Sequence, residues 1–351
     1  MKVLHVISSL EIGGAQRLLS DLLPLQKQSG LDVSLLVLKT ENNAFNRKIL
    51  EAGVPIISLD VRSYRNPLLA FKLRRIIKDY DIIHVHLVHS LYLCSIAARG
   101  MNIKLVYTEH STSNNRRNKS YMRPVEKWIY GRYDKLISIS EQTQDALQNW
   151  LQADDDRFVV VHNGVDTKAF SAIHCEKIPK SLIMVSRFAS SKDQESVIKA
   201  MKYLDESVTI RFVGDGENLE HCKQVTKNLG LEHRIAFLGA RADVANLIAE
   251  SCIGIQSSNW EGFGLTAVEM MAAGLPVVAT DVDGLKQVVE GAGLLFHVGD
   301  TSALTNHIKH LLNDEEYYMI MSTNSKQRAA IFDVAVTANK YVNLYQKVYN
   351  G

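Results

Sequence analysis

Short apolar runs separated by amphipathic stretches set the pattern of hydrophobic and polar positions along this chain. Seven runs of strand length occur in residues 1–165, and each is almost wholly apolar, which is typical of parallel strands buried on both faces. Stretches between them, such as residues 68–78 and 142–151, repeat apolar side chains at helical spacing. The predicted strands cover residues 3–9, 33–38, 56–59, 82–86, 105–110, 136–140 and 158–162.

The same alternation starts again in the second half of the chain. Six further runs cover residues 182–185, 209–213, 234–238, 252–256, 276–280 and 293–297. Between the halves, Asn163 and Gly164 form a turn dipeptide that accommodates positive φ, and residues 167–180 are predicted to be a linker. The pattern predicts an α/β protein of two doubly wound parallel-sheet domains, residues 1–165 and 166–331, followed by a terminal helix in residues 332–351.

The composition is that of a globular protein and argues against several other classes. Hydrophobic residues make up 46% of the 351 residues and charged residues 22%, and no stretch approaches the roughly 20 apolar residues of a membrane span. The four cysteines are far apart in sequence, so we expect neither a disulfide framework nor a zinc site. This cysteine usage favours a cytoplasmic location. The chain begins directly in a strand pattern, which predicts no signal peptide.

Charge is distributed unevenly between the two halves. Residues 1–164 hold 22 Lys and Arg against 16 Asp and Glu, a net charge of +6, whereas the remainder has 18 against 22, a net charge of −4. The first half is therefore the better candidate for meeting anions. This excess is too small for the broad basic surface that nucleic acid requires, so we expect no nucleic-acid partner.

Residues 259–269 carry the most specific candidate chemistry, at a predicted strand-to-helix turn. Gly262 and Gly264 remove side chains where the backbone bends, and the free N–H groups of the following helix suit a phosphate. Glu261 and Glu269 bracket the turn, and carboxylates pair well with vicinal hydroxyls. A phosphate flanked by hydroxyls describes a sugar nucleotide, and the alternative is a packing turn with a solvated Glu269.

Other strand ends carry weaker signals of the same kind. Gly13 and Gly14 open the first helix, although the G-x-G-x-x-G spacing of a dinucleotide site is missing. Arg187 and Lys192 follow a strand and can converge on one phosphate, but such cations are more often surface charges. Three further residues of interest at strand ends are Gly214, Gly216 and Arg241.

Three histidines, His86, His89 and His110, occur at or just beyond predicted strand ends, where parallel sheets gather their ligands. Histidines in such places are more often hydrogen-bonded structural residues than catalysts. His110 is the one for which we expect a functional role. The aspartates at 154–156 precede a strand and predict an exposed turn rather than a metal site.

A basic segment with interleaved aromatic residues follows the fifth predicted strand. Its apolar residues Met122, Val125 and Ile129 recur at helical spacing. Such a helix suits an anionic membrane surface or a diphosphate-bearing acceptor, and a solvated face over a core stripe is the alternative. The cations that we assign to acceptor or membrane contact are Arg116, Arg117, Lys119, Arg123 and Lys127.

Taken together, these motifs resemble the retaining GT-B glycosyltransferases of glycosyltransferase family 4. Glu261 and Glu269, eight residues apart, resemble the E-x7-E signature of that family. The chain departs from the family pattern at Ser186, where the G-R-x4-K motif has glycine, and at Glu109, beside His110. The matching motifs, in family order, are Gly13-Gly14, His110, Asn163-Gly164, Arg187 with Lys192, Gly214 to Gly216, and Glu261 with Glu269.

The resemblance implies two Rossmann-like domains facing across a cleft, with a role for each motif in binding a nucleotide-sugar. Arg187 and Lys192 would neutralise the donor diphosphate, and together with His110 and Glu261 they would act in catalysis. Glu269 would bind the ribose, Glu261 would bind a sugar hydroxyl, and His110 would lie close to the transferred sugar. The other donor contacts implied are Gly13, Gly14, Gly214, Gly216, Arg241 and the backbone of Phe263, Gly264 and Leu265.

The implied activity is transfer of a hexose or N-acetylhexosamine to a glycan or lipid-linked acceptor in bacterial surface polysaccharide, lipopolysaccharide or capsule synthesis. We expect a UDP-sugar donor, retention by front-face attack, no metal or other cofactor, and a cytoplasmic protein that lies peripherally on the membrane where the basic segment binds lipid. The alternatives are a GDP-mannose-dependent mannosyltransferase, a sugar-nucleotide epimerase and a phosphorylase.

Overall fold

Two compact units make up the part of the chain that the computed structural model describes, residues 1–11, 13–40, 43–61, 63, 66, 68–112 and 116–351. The first unit combines Met1–Gly164 with Val334–Gly351, and the second is Val165–Asp333. Each contains a sheet of parallel strands with helices between them, which confirms the predicted α/β class. Within the described ranges, no helix has the length and apolarity needed to cross a membrane.

The sheet of the first unit is parallel throughout its described strands. These are β1 (Lys2–Ser9), β2 (Asp32–Lys39), β3 (Ile56–Ser58), β4 (Ile82–His86), β5 (Lys104–Glu109), β6 (Lys135–Ser138) and β7 (Phe158–Val160), paired in the order 3-2-1-4-5-6-7. Val3 of β1 lies opposite Val33 of β2 on one side and Ile82 of β4 on the other. The strand order reverses between β1 and β4, and open α/β sheets bind ligands at the carboxyl ends of such strands.

Helices of the first unit bury their apolar stripes against this sheet. They are α1 (Gly14–Gln28), α2 (Ala44–Glu51), α3 (Leu69–Ile77), α4 (Val88–Ala97), α5 (Arg123–Tyr130) and α6 (Glu141–Leu151), with a 3-10 turn at Ser120–Met122 before α5. In α1, Leu19 and Leu22 are fully buried in a cluster that also contains Val3 of β1. A buried leucine contributes roughly 1.5–3 kcal/mol, so this stripe holds α1 on the sheet.

The second unit repeats the same topology with its own sheet and core. Its strands are β8 (Ser181–Val185), β9 (Thr209–Val213), β10 (Ile235–Phe237), β11 (Ile253–Gln256), β12 (Val277–Thr280) and β13 (Gly293–Phe296), in the order 10-9-8-11-12-13. Its helices are α7 (Thr167–Ser171), α8 (Gln194–Met201), α9 (Leu219–Asn228), α10 (Val244–Ala249), α11 (Leu265–Ala272), α12 (Lys286–Val289), α13 (Thr301–Asn313) and α14 (Glu315–Ile331). The strand order reverses between β8 and β11, which defines the second switch point.

The predicted linker at residues 167–180 is wrong at its beginning, because α7 occupies its first five residues. Asp166 caps this helix by accepting a hydrogen bond from the Ala169 N–H at 3.0 Å, and Phe170 is buried. A helix this short has too few turns to produce a periodic pattern, which is why the sequence did not predict it.

The terminal helix α15 (Val334–Asn350) belongs to the first unit and begins two residues after its predicted start. Its buried residues Ala338, Tyr341 and Tyr345 join the apolar cluster that contains α1 and β1. The first unit is therefore built from two stretches of chain that are separated in sequence by the whole second unit.

Candidate functional site

The turn before α11 requires glycine at its last residue. Gly264 has φ of +88°, a left-handed conformation that glycine adopts without steric cost, and a Cβ there would lie 2.7 Å from Leu285 Cδ1. Its carbonyl accepts the Ala267 N–H at 3.0 Å, so the helix starts immediately after the turn. The first backbone N–H groups of α11, beginning at Leu265, are outside the intrahelical hydrogen bonds and suit an anion.

A cation and a carboxylate meet beside this turn. The Lys192 Nζ donates a short hydrogen bond to Glu261 Oε2 and a second one to Ser258 Oγ at 3.1 Å. The Gly262 N–H donates to Glu261 Oε1 at 3.1 Å, which fixes the carboxylate against the loop. The side chains of Lys192 and Glu261 are only 13% and 20% exposed, so solvent screens the pair weakly.

Both members of this pair keep hydrogen-bonding capacity. A lysine ammonium has three N–H donors, and the described partners of Lys192 take two of them. An ionised carboxylate has about four lone-pair positions, so Glu261 retains room for a hydroxyl. Asn259 ties the two loops together, because its backbone N–H and its side-chain Nδ2 donate to Ser191 O and Ser190 O at 2.9 Å each.

Arg187 lies on the loop after β8, and a glycine turn packs directly under that loop. Gly214 has φ of +137° and Gly216 has φ of +150°, and a Cβ on either would overlap the carbonyl oxygen of Ser186 or of Phe188. These glycines therefore set the path of the backbone that carries Arg187. Its side chain is exposed and makes no hydrogen bond or ion pair with the rest of the described chain.

The remaining predicted donor residues differ in their surroundings. Glu269 is 3% exposed, which excludes the reading of a solvated helix residue. Phe263 is buried and packs edge-on against Phe332 with ring centroids 5.3 Å apart, so only its backbone can meet a ligand. The Arg241 guanidinium forms two bonds, of 2.8 and 2.7 Å, with the exposed carboxylate of Asp243.

Gly284 is a structural requirement of the site that the sequence analysis missed. Its φ is +84°, and a Cβ there would lie 2.5 Å from the Glu261 carbonyl oxygen. The loop after β12 therefore supports the backbone of the Glu261 turn by direct contact. The dipeptide Asp283-Gly284, a common turn signal just beyond a predicted strand, indicates a turn there but not its contact with the Glu261 backbone.

In the first unit, the predicted residues lie at the carboxyl ends of adjacent strands. α1 begins at Gly14 after β1, His86 ends β4, and His110 follows β5. Gly13 has an extended backbone, and a Cβ there would meet only the flexible end of Gln16, at 2.6 Å from its Oε1. Local geometry therefore does not demand glycine at position 13, and its role as a donor contact stays a prediction.

His110 is connected to a buried group of histidines. His86 lies between His110 and His5, with ring nitrogens 3.1 Å and 3.0 Å apart respectively. His84 pairs through Nδ1 with the Tyr345 hydroxyl and through Nε2 with Thr108 Oγ1 at 2.7 Å. The sequence analysis treated His86 as structural, which agrees with this network.

His5, His84 and His86 place one ring nitrogen each within 4.8 Å of one another, a grouping that could hold a metal ion. Each of their six ring nitrogens already has a protein partner in the structure. An ion would have to displace one of these partners from each histidine, so we interpret the group as a hydrogen-bonded network. The aspartates at 154–156 lie in an exposed turn, where Asp155 pairs with Arg157 at 2.7 Å.

Two arginines of the basic segment are held by buried carboxylates. Arg116 Nε lies 2.9 Å from Glu126, which is fully buried on α5, and Arg117 donates to Glu109 at 2.8 Å. Burial raises the pKa of the Glu109 carboxyl, and the neighbouring Arg117 opposes that rise. Arg116 and Arg117 are therefore anchored by carboxylates of the first unit, and their contact with an acceptor or membrane stays a prediction. Glu109, the departure from the family pattern, is the partner of this ion pair.

The rest of the basic segment presents apolar side chains to solvent. Tyr121, Val125 and Trp128 are 69%, 48% and 51% exposed, and their spacing places them on one helical face. Val125 is therefore not part of a core stripe, whereas Ile129 is buried. Arg123 lies over the Trp150 ring at 5.0 Å, and Lys119 and Lys127 are exposed beside the apolar face.

Two family models match the chain, and together they span almost all of it. The model described as Glycosyltransferase Family 4 matches residues 12–169, and the model described as Glycosyl transferases group 1 matches residues 167–328. The chain belongs to the family 4, group 1 glycosyltransferases. It is therefore a transferase, which confirms the enzyme class that the motifs predict.

Curated relatives and solved structures agree with this placement. The glycosyltransferase is 28% identical over 294 residues, 78% of this chain and 75% of the relative, to N-acetyl-alpha-D-glucosaminyl L-malate synthase of Bacillus anthracis. It is 24% identical, over 98% of this chain and 96% of the relative, to UDP-Gal:alpha-D-GlcNAc-diphosphoundecaprenol alpha-1,3-galactosyltransferase of Escherichia coli. The crystal structure of Anabaena Alr3699/HepE in complex with UDP-glucose has a TM-score of 0.85 at 24% identity, covering 99% of this chain and 100% of that one. This likeness confirms the GT-B fold.

Acid should destabilise the first unit of this glycosyltransferase. Burial lowers the pKa of His5 to about 3 and holds the pKa values of His84 and His86 well below the ordinary value of 6.5. The unfolded chain therefore binds more protons below pH 6.5, and stability is lost as pH falls from there. Each histidine contributes roughly 1.4 kcal/mol per pH unit.

The measurement is the free energy of urea unfolding between pH 6.5 and 5, a window above the range in which most carboxylates titrate. Fluorescence of Trp128 and Trp150 in a Trp260→Phe background reports on the first unit alone. A His221→Gln variant, which changes an exposed histidine of the second unit, should show the same slope. A free energy of unfolding that is constant across this window would contradict the prediction.

Proposed function

We propose that this glycosyltransferase transfers a hexose or N-acetylhexosamine, with retention, from a UDP-sugar to a glycan or lipid-linked acceptor of the bacterial cell surface. The observation that carries the donor part is the Lys192–Glu261 pair beside the N-terminus of α11. It brings phosphate-binding and hydroxyl-binding groups to one turn. The UDP-Gal-dependent galactosyltransferase of Escherichia coli and the Anabaena structure in complex with UDP-glucose support the choice of uridine.

The chemistry follows from where charge grows during the reaction. When the sugar leaves a nucleoside diphosphate, negative charge accumulates on the terminal phosphate oxygens. Lys192, Arg187 and the N–H groups at the start of α11 are donors that we assign to those oxygens, and they act most strongly in the transition state. The departing phosphate oxygen is then the base that takes the acceptor proton on the same face of the sugar, which gives retention.

A donor screen tests this proposal. Thermal unfolding is followed with UDP, GDP, UDP-glucose, UDP-galactose, UDP-N-acetylglucosamine and GDP-mannose, because a ligand of the native state raises the midpoint according to its concentration over its Kd. We expect uridine nucleotides to stabilise the native protein, and Arg187→Ala and Glu269→Ala to lose the shift. Lys199→Ala, which removes an exposed lysine of α8, is the control that should keep it.

The screen has two outcomes that would oppose the proposal. Stabilisation by guanosine nucleotides alone would replace the UDP-sugar with GDP-mannose as the donor. If both Arg187→Ala and Glu269→Ala kept the thermal shift, the donor would have to bind away from this turn. Transfer of the sugar to an added lipid-linked acceptor, with the product anomer assigned by NMR, separates retention from inversion.

We further propose that the exposed face of the basic segment binds the anionic membrane surface where a lipid-linked acceptor resides. Aromatic side chains favour the membrane interface, and lysines beside them attract anionic lipids. This supports a peripheral location at the inner face of the cytoplasmic membrane. The cations assigned to this contact are Lys119, Arg123 and Lys127, together with Arg116 and Arg117, which are also ion-paired within the first unit.

Vesicle flotation measures the membrane contact directly. We expect the protein to float with vesicles of phosphatidylglycerol and phosphatidylcholine at low salt. The fraction that floats should fall at about 0.5 M salt, because salt screens the lysines. The double variant Tyr121→Ser with Trp128→Ser should lose flotation. Tyr203→Ser changes a tyrosine of the second unit that is 60% exposed and is the matched control. A native protein that stays in solution would overturn this proposal.

We also propose that transfer needs no metal ion, since Lys192 and Arg187 supply positive charge to the diphosphate. The expected result is that sugar transfer in the presence of excess EDTA equals transfer in its absence. Restoration of a lost activity by added Mg²⁺ or Mn²⁺ would show that a cation completes the site.

A further inference from the structure

A line of hydrogen-bonded side chains connects His110 with the core of the first unit. His110 Nε2 lies 3.1 Å from His86 Nδ1, and His86 Nε2 lies 3.0 Å from His5 Nδ1. His5 Nε2 in turn lies 3.0 Å from Oε1 of Gln26, in the last turn of α1. We name these four residues the histidine relay.

Burial keeps the three histidines of the relay neutral. His5, His86 and Gln26 have no solvent-accessible surface. Removal from water lowers the pKa of His5 to about 3 and that of His110 to about 4, and it holds the pKa of His86 well below the ordinary range. A neutral imidazole has one N–H donor and one lone pair, so all hydrogen bonds of the relay must run in the same direction.

The amide at the inner end selects that direction. Gln26 Oε1 can only accept, so His5 carries its proton on Nε2 and accepts at Nδ1. The Tyr345 hydroxyl, 3.3 Å from His5 Nε2, is the weaker second acceptor of this proton and can donate to His84 Nδ1. His86 must then donate from Nε2 and accept at Nδ1, and His110 must donate from Nε2. The outer end of the relay is therefore His110 Nδ1, which carries a lone pair. This atom is shielded from solvent and has no hydrogen-bond partner among the described residues.

We propose that Gln26, His5 and His86 are positioning residues that hold His110 in the tautomer with the proton on Nε2. His110 then presents a lone pair at Nδ1 and accepts a hydrogen bond from a hydroxyl of the sugar donor or of its acceptor. This inference rests on the proposed function, because it takes the substrate hydroxyl from there. It adds that residues remote from the strand-end edge, above all Gln26, determine whether His110 accepts or donates.

The tautomer of the native protein is the first test. Two-bond correlation of histidine ring protons with ring nitrogens, on histidine labelled with nitrogen-15, distinguishes the two neutral tautomers, and a His110→Gln variant assigns the signal. We expect His110 to be neutral with its proton on Nε2. A proton on Nδ1 would reverse the direction of the relay and overturn the proposal. This measurement needs neither substrate nor a stable relay variant.

The second test is Gln26→Glu, which replaces the side-chain amide at the inner end of the relay with a carboxyl group. An ionised carboxylate at this buried position is costly, so the site takes up one proton from solvent, held by the new carboxyl group or by His5. If the carboxyl group holds the proton, its hydroxyl is a stronger donor than an imidazole N–H and turns to donate to His5 Nε2; if His5 holds it, His5 donates from both ring nitrogens. In both arrangements His5 and His86 donate from Nδ1, and His110 acquires a proton on Nδ1. We expect kcat to fall roughly tenfold or more, with the KM for the donor unchanged.

Tyr341→Phe is the matched control, because it removes a buried hydroxyl that contacts Thr108 at 3.4 Å and lies outside the relay. It should leave both the His110 tautomer and kcat unchanged. An unchanged tautomer in folded Gln26→Glu would overturn the relay, and a reversed tautomer with native kcat would overturn the substrate contact of His110. Absence of sugar transfer by the native protein would instead reject the proposed function, and the tautomer measurement separates these failures.

Discussion

Replacing Lys192 with methionine is expected to lower kcat/KM for sugar transfer by about 10²- to 10³-fold, the loss typical of one preorganised donor to a developing oxyanion. Methionine retains most of the side-chain volume and removes only the ammonium group. Lys192 bonds to Glu261 and Ser258, so its position is fixed before any donor arrives. The measurement is steady-state transfer from the UDP-sugar that the thermal screen selects.

A double-mutant cycle with Glu261→Gln shows whether the two residues act as a unit. Because the side chains are bonded to each other, the two losses should be far from additive, and the double variant should resemble the worse single variant. Lys199→Met is the control, since Lys199 forms a comparable ion pair with Glu195 at 2.7 Å on an exposed helix face. A loss of activity in Lys199→Met equal to that in Lys192→Met would show that general charge, rather than the site, is responsible.

Gly214→Ala is expected to destabilise the second unit by about 2–5 kcal/mol and to abolish the thermal shift caused by nucleotides. The backbone at φ of +137° is strained for alanine, and its Cβ would overlap the Ser186 carbonyl oxygen. The loop that carries Arg187 must move away to relieve this overlap. The measurements are the free energy of unfolding and the change in midpoint on adding UDP.

Gly230→Ala separates the destabilisation caused by backbone conformation from that caused by the contact with Ser186. Gly230 also has a positive φ, of +68°, but nothing lies within 4 Å of a Cβ built there. We expect Gly230→Ala to cost about 1 kcal/mol, from backbone conformation alone, and to bind UDP normally. If the two variants had equal stability and equal affinity for nucleotide, the contact under the Arg187 loop would have no importance.

The fold could be predicted from the sequence to the level of two parallel-sheet α/β domains because its signals are local. Each buried parallel strand is a short apolar run, and right-handed alternation with helices leaves few arrangements for such runs. The same is true of the turn before α11, where glycine and glutamate stand at fixed spacing. Packing contacts are different, and Gly284 shows this, because its importance comes from the Glu261 backbone on another loop.

Side chains that pair without the regular spacing of a helix or strand were beyond prediction for the same reason. Arg116 and Arg117 have the pattern of solvent-facing cations, and only the fold brings buried carboxylates to them. The histidine relay unites α1, β1, β4 and the residue after β5, which no linear pattern connects. A buried polar network is specified by the whole topology and becomes visible only when that topology is known.

The position of α15 in the first unit has a consequence for biosynthesis. Tyr341 and Tyr345 complete the core around β1 and the buried histidines, yet they follow the whole second unit in the sequence. The second unit is contiguous in sequence, so it can fold on the nascent chain while the core of the first unit is still incomplete. The first unit, although it begins the sequence, is thus the unit that matures last, because its core stays incomplete until α15 has been synthesised.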